Sequence, residues 1–203
     1  MERSGFKLFK ETEIFNEILR VNVHDLKNYL SSVILYAEFL ENPKEVDESR
    51  EVILKKADSL NLHLDALKLL YSNSSWFEGN SLETLSKRLS LIVTPLFKSK
   101  SKLFLLRYTK EELPKEIKNI KKDVELLFKE FYRFSQLMES DCLLTIIRSV
   151  NKNLCFYFIE RNDDLSENFE AVKEISFEEA DKTIKNCKTA SIVKFQGGEE
   201  NDV

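Results

Sequence analysis

Glycine is scarce in this chain, with four residues in 203, at Gly5, Gly79, Gly197 and Gly198. Loops that cradle phosphate need glycine where backbone N–H groups close on the anion, and neither G-x-G-x-x-G nor G-x-x-x-x-G-K-[ST] can be assembled from these four. The usual nucleotide-binding loops are therefore excluded. The three cysteines (Cys142, Cys155, Cys187) are widely spaced, odd in number and form no C-x-x-C, which argues for reduced thiols in a cytoplasmic setting and against a disulfide framework. With only two histidines, His24 and His63, no zinc-ligand spacing and no Ser-His-Asp arrangement is present. No apolar run reaches the roughly 18 residues that a bilayer span requires, and the charged start Met1-Glu2-Arg3 is unlike a signal peptide. A net charge of -4 speaks against nucleic acid, which calls for a concentrated basic face. Asn73-Ser74-Ser75 matches a glycosylation acceptor, but without secretion it carries no meaning.

What the chain does have is helical periodicity. From about Glu11 to Glu41 apolar residues recur at helical spacing, until Asn42-Pro43 stops the helix, because proline disfavours a helical residue before it. At 100° per residue, Phe15, Leu19, Leu26, Leu30, Val33, Ala37 and Leu40 fall within about 40° of one direction. His24 points about 160° away from that seam, with Asn28 and Ser31 on the same outer face. A histidine turned to solvent from the back of a core-forming helix is not there for packing. A second helix, from Val46 to about Ser72, carries its own seam in Ile53, Ala57, Leu60, Leu64, Leu67 and Tyr71. His63 flanks that seam and reads as structural. Residues 1–75 thus form a helical hairpin with one stripe per helix. A stripe half exposed in one chain asks for a second hairpin, giving a dimeric four-helix bundle; coverage by the second half of the chain is the alternative.

Asn73 to Asn80 reads as a linker, and residues 80–196 as a second domain. The pattern there predicts a helix from Ser81 to about Ser99, with Pro95 near its end, and a strand at Leu103–Tyr108. After a connection over Glu111–Ile120, a strongly amphipathic helix is expected from Lys121 to about Glu139. A hairpin of strands Cys142–Val150 and Leu154–Glu160 turns at Asn151-Lys152-Asn153. The polar stretch from Asn162 to Asn168, with the loop charges Asp163-Asp164, leads to a short helix near Phe177–Lys185 and a last strand at Ala190–Phe195. Residues 197–203 are expected to be a disordered tail. The fold class is α+β.

The run His24-Asp25-Leu26-Lys27-Asn28 followed by an apolar helix resembles the phosphoacceptor box of two-component signalling proteins. Tyr29 stands where that family usually has a helix-bending proline, a departure that bears on the bend and not on the chemistry. The order of elements after the hairpin resembles the ATP-binding domain of histidine kinases. That domain's long helix normally bears two asparagines that hold Mg²⁺ and phosphate; the best register puts Glu130 and Phe134 there, and the glycine boxes and lid are missing. The resemblance therefore implies a histidine phosphotransferase of bacterial two-component phosphorelays, built like a histidine kinase with a degenerate, pseudokinase-like ATPase domain. It further implies a homodimer that works with response-regulator receiver domains and carries no cofactor itself, Mg²⁺ lying on the receiver.

Under this resemblance His24 is the phosphoacceptor, since neutral imidazole titrates near physiological pH and takes a phosphoryl group on one ring nitrogen if something accepts its proton. Asp25 is the proton acceptor or orienter, Lys27 a charge for the phosphate, and Asn28 an orienter of water or phosphate. Arg20, Ser31 and Leu35 are the candidate partner contacts. The competing readings are an isolated surface histidine, a solvated aspartate, and a solubilising lysine. Two other functions stand beside the relay: a non-catalytic kinase-like dimer that binds and inhibits a kinase or receiver, and an active histidine autokinase with a divergent nucleotide site.

Overall fold

A computed structural model describes residues 11–41, 45–72, 76, 81–114, 116–162, 171–187 and 189–197. Helices α1 (Glu11–Glu38) and α2 (Val46–Leu67) form the N-terminal hairpin, each extended by one short turn, Phe39–Glu41 and Lys68–Leu70. Then follow α3 (Leu82–Lys98), β1 (Leu103–Thr109), α4 (Ile120–Leu137), β2 (Cys142–Val150), β3 (Asn153–Arg161), β4 (Val172–Ile175), α5 (Phe177–Asn186) and β5 (Thr189–Phe195). The five-stranded sheet has the order β4-β1-β2-β3-β5. β1 is parallel to both β2 and β4, while β3 is antiparallel to β2 and β5.

Local chemistry accounts for the boundaries. Ser81 caps α3 by accepting from the Thr84 N–H at 3.1 Å, and Ser176 caps α5 by accepting from the Glu179 N–H at 3.1 Å. Asn151 and Lys152 both have positive φ, at 50° and 62°, which is the conformation a two-residue hairpin needs to match the twist of its strands. Gly197 lies so close to the Lys152 carbonyl that no Cβ fits, and its N–H donates to Asn153 Oδ1 at 3.3 Å. It also bridges to Ile117, so Gly197, expected in a disordered tail, is instead part of the fold, while 198–203 lie outside the described residues. The polar stretch at 163–168 lies outside them too.

β4 was not expected from the sequence. Its four residues are too few for a period to emerge, and its partner β1 lies more than 60 residues earlier, at Leu106↔Val172. The central strand β2 is buried on both faces from Cys142 to Arg148, an aliphatic run interrupted by Thr145 and closed by Arg148. Leu143 and Ile147 belong to the core shared with α3 and α4. Leu144 and Ile146 face the opposite way, into a smaller cluster with Ala180 and Ile184 of α5.

Phenylalanines knit the larger core. Phe97 stacks on Phe104 at 5.3 Å, Phe104 meets Phe131 edge-on at 5.6 Å, and Phe158 contacts Phe131 at 5.1 Å and Phe134 at 5.3 Å. The same core takes in Ile14, Ile18 and Val21 of α1 and Ala66 and Leu67 of α2, so the base of the hairpin and the sheet are packed through one continuous interior. α1 buries a face about 95° away from the expected seam in doing so. Phe15 and Leu26 of that seam still pack against the core, but Leu19, Leu30 and Leu40 are 40%, 50% and 41% exposed, as is Leu64 of the α2 seam at 46%. Coverage by the second half of the chain, the alternative to a dimer, reaches Phe15, whose ring lies 6.0 Å from Phe128, and among the described residues leaves these four leucines exposed.

The stretch read as a linker contributes to this core. Trp76, the one tryptophan of the chain, is buried against Phe195 at 5.4 Å and Phe128 at 6.5 Å, and its Nε1–H donates to the Leu69 carbonyl at 3.0 Å. Trp76→Ala should destabilise the protein by about 3–5 kcal/mol, the usual range for deleting a buried aromatic. Urea unfolding followed by circular dichroism checks this, and in the native protein Trp76 emission should be blue-shifted and should shift red in the same transition.

Candidate functional site

The exposed face of α1 is built where the helix leaves the core. Ile14, Ile18, Val21 and Asn22 are buried; three residues later the same face carries Asp25 and Tyr29, both half-buried beside α3. His24 lies to one side of that contact line, and its side chain is 74% exposed. Its Nδ1 sits 3.4 Å from Asp25 Oδ1 and 3.3 Å from Asn28 Nδ2, leaving Nε2 directed away from both partners. Adjacent helical residues do not ordinarily face each other, yet Asp25 reaches back to the ring.

The two contacts ask for different tautomers. A carboxylate accepts, so Asp25 favours a proton on Nδ1 and a lone pair on Nε2. An amide N–H donates, so Asn28 favours a bare Nδ1. Both are satisfied in turn if the Nδ1 proton moves during a reaction.

Between α1 and the end of α3 lies a cleft of about 340 Å³ lined by Arg20, Val21, His24, Asp25, Asn28, Pro95, Lys98 and Ser99. Arg20 is held there by two hydrogen bonds to Glu17, both 2.7 Å, which hold the guanidinium more firmly protonated and keep the Glu17 carboxyl below its usual range. Lys98, in the last turn of α3, is the cation from the second half of the chain that borders this cleft. Lys27, assigned the phosphate charge on sequence grounds, is exposed and lies outside the lining of the cleft. Ser31 and Leu35 are exposed on α1, Leu35 by 50%. Sequence reasoning missed Lys98, because its position depends on the contact between two helices 70 residues apart.

A second cleft, of about 380 Å³, opens on the other side of Asp25. Asp25, Pro95 and Lys98 are common to both, and here Tyr29, Lys87 and Thr94 join them together with His63. His63 is buried, and its Nε2 donates to Asn22 Oδ1 at 2.6 Å. Burial pushes its pKa below the ordinary 6.5, opposed in part by the negative charge of Asp25.

Glu130 and Phe134, the positions set against the family's nucleotide-holding asparagines, are otherwise engaged. Glu130 is paired with Arg133 at 2.7 Å, and Phe134 is buried against Phe158. Among the described residues no group of three or more His, Cys, Asp or Glu side chains is placed to hold a metal ion, and no helix is long and apolar enough to cross a membrane. The three cysteines form no disulfide; Cys142 and Cys155 are buried and Cys187 is half-buried.

No family model and no curated protein matches this chain. Among solved structures, one of a bacterial phosphotransferase is similar over 80% of this chain and 82% of its own, at 13% identity and a TM-score of 0.37. That overlap is too loose to carry the fold or the activity across.

The buried His63 makes stability depend on pH in a defined direction. Its folded pKa is depressed, so the unfolded chain binds the proton first as pH falls. The contribution is complete above about pH 7 and is lost as pH drops through about 6.5, at up to ~1.4 kcal/mol per pH unit. Urea midpoints of the wild type and His63→Gln between pH 7.5 and about 5 should converge as pH falls.

Proposed function

We propose that this chain is a histidine phosphotransferase that relays a phosphoryl group between receiver domains through His24, without ATP. The observation that carries the reading is the state of the His24 imidazole: exposed, contacted at Nδ1 by Asp25 and Asn28, and bordering a cleft with Arg20 and Lys98. In the transfer, the Nε2 lone pair attacks the phosphorus of a receiver's aspartyl phosphate in line. The P–N bond forms as the P–O bond to the receiver's carboxylate breaks, and the carboxylate leaves. Asp25 holds and then takes the Nδ1 proton, after which the Asn28 N–H donates to the bared nitrogen. An acyl phosphate is exchanged for a phosphoramidate, so the step runs in either direction, and positioning and charge neutralisation supply the catalysis. Mg²⁺ belongs on the receiver's acidic site.

The uncovered seam supports the quaternary part of the reading. Leu19, Leu30, Leu40 and Leu64 present apolar surface that a second copy of the hairpin would bury, at about 25 cal/mol per Å². A four-helix bundle assembled in this way leaves His24, on the far side of α1, open to a receiver. The engagement of Glu130 and Phe134 in the fold favours the relay over an autokinase.

Incubation with a labelled phospho-receiver should transfer label to wild-type protein as an acid-labile, base-stable adduct. His24→Ala should take no label while its stability stays within about 0.5 kcal/mol of wild type, as exposed substitutions do. Asp25→Asn should accept label more slowly with its fold intact. Label retained by His24→Ala defeats the relay. A wild-type protein that binds the phospho-receiver without taking label is the inhibitor of a kinase or receiver instead.

In solution the chain, at 23.8 kDa, should run as a dimer of twice that mass by light scattering. Leu30→Asp should shift it to monomer or unfold it. A single-chain mass for the wild type at micromolar concentration rules out the bundle.

A further inference from the structure

Two residues before His24, Asn22 is fully buried in the middle of three helices. Its Nδ2 donates to the Ile18 carbonyl of α1 at 2.7 Å and to the Ile92 carbonyl of α3 at 3.0 Å, and its Oδ1 accepts from His63 Nε2 of α2 at 2.6 Å. One amide thus ties α1 to both α2 and α3. The acceptor role of Oδ1 places the His63 proton on Nε2, and leaves a bare, buried Nδ1 with no hydrogen-bond partner. A buried pair with an unsatisfied nitrogen is a poor device for stability, since a well-packed apolar pair of the same volume does as well or better. What it supplies is direction. The contacts of Ile14, Ile18 and Val21 are non-directional and tolerate a small turn or slide of α1, whereas three hydrogen bonds at defined angles do not.

We propose that the Asn22–His63 pair is a positioning device for phosphoryl transfer: it sets the rotation and height of α1 so that His24 and Asp25 face Lys98 across the cleft. This rests on the reading of His24 as the acceptor. Neither residue touches the phosphoryl group; both act through the helix that carries His24. Because effective attack depends on in-line placement, and misplacement by about 1 Å slows such steps by up to about 10²-fold, loosening this tie lowers the maximal rate of transfer. Receiver binding, made by exposed residues of α1, is left intact.

The test uses the full chain and a labelled phospho-receiver, with rates measured over a range of receiver concentrations. His63→Phe keeps a ring of similar size and removes the N–H donor, whereas His63→Gln keeps a donor of similar reach. His63→Phe should transfer about tenfold or more slowly at saturating receiver, with half-saturation within about twofold of wild type. His63→Gln should recover most of the rate even if it melts no higher. Should His63→Phe fail to fold, Asn22→Ser, which keeps a small polar group and breaks the tie to α2, must show the same split. A folded tie-breaking variant with wild-type maximal rate overturns the inference, as does a His63→Gln protein as slow as His63→Phe. Wild-type protein that takes no label on His24 sinks the acceptor reading and this inference together; a wild type that does, with an equally fast His63→Phe, sinks this inference alone.

Discussion

The constraint on which this structure turns is that α1 serves two surfaces at once. One face, running through Ile14, Ile18, Val21 and Asn22 to Asp25 and Tyr29, is committed to α3 and the phenylalanine core. The other, through Leu19, Leu30 and Leu40, is apolar and uncovered within the chain. His24 occupies the remaining arc between them. That leaves its imidazole free on one side while Asp25 and the end of α3 supply polar groups on the other. A helix packed by its seam alone would have held His24 just as exposed, but far from any residue of the second half.

Much of the fold was legible in the chain. Long amphipathic helices and strands paired by a short hairpin announce themselves through local period, and the boundaries of α1, α3, α4, β2 and β3 fall close to expectation. What escaped has a common cause. The second face of α1 mixes Asn22 and Asp25 with its aliphatic residues, so no single apolar direction marks it, and only the packing of α3 reveals it. Trp76 looked like a loop residue because its neighbours are Ser, Asn and Gly; its partners Phe128 and Phe195 lie far away in sequence. β4 is a short edge strand whose pairing is entirely non-local.

The candidate site divides in the same way. His24, Asp25 and Asn28 were readable because they sit within five residues on one helix, and i to i+4 spacing alone brings Asn28 under the ring. Lys98 was not, and it displaces Lys27 as the lysine bordering the cleft, because charge in a cleft is a property of two elements and not of one motif. The place of His63 beside a seam was legible and it is buried, but its bond to Asn22 required both helices to be in view.

The chemistry that most depends on geometry here is the competition for His24 Nδ1. With Asp25 Oδ1 at 3.4 Å and Asn28 Nδ2 at 3.3 Å, neither contact is short enough to hold the ring in one tautomer outright. A stronger Asp25 bond would fix the proton on Nδ1 and keep it there when the ring has to release it in the proposed transfer. A stronger Asn28 bond would move the proton to Nε2 and silence the lone pair that attacks in the proposed transfer. Two weak, opposed partners keep both tautomers within reach, which suits the acceptor and donor role proposed for His24. The requirement falls on the backbone: Asp25 must lean towards the ring while facing α3, and that holds only while α1 keeps its rotation against its neighbours.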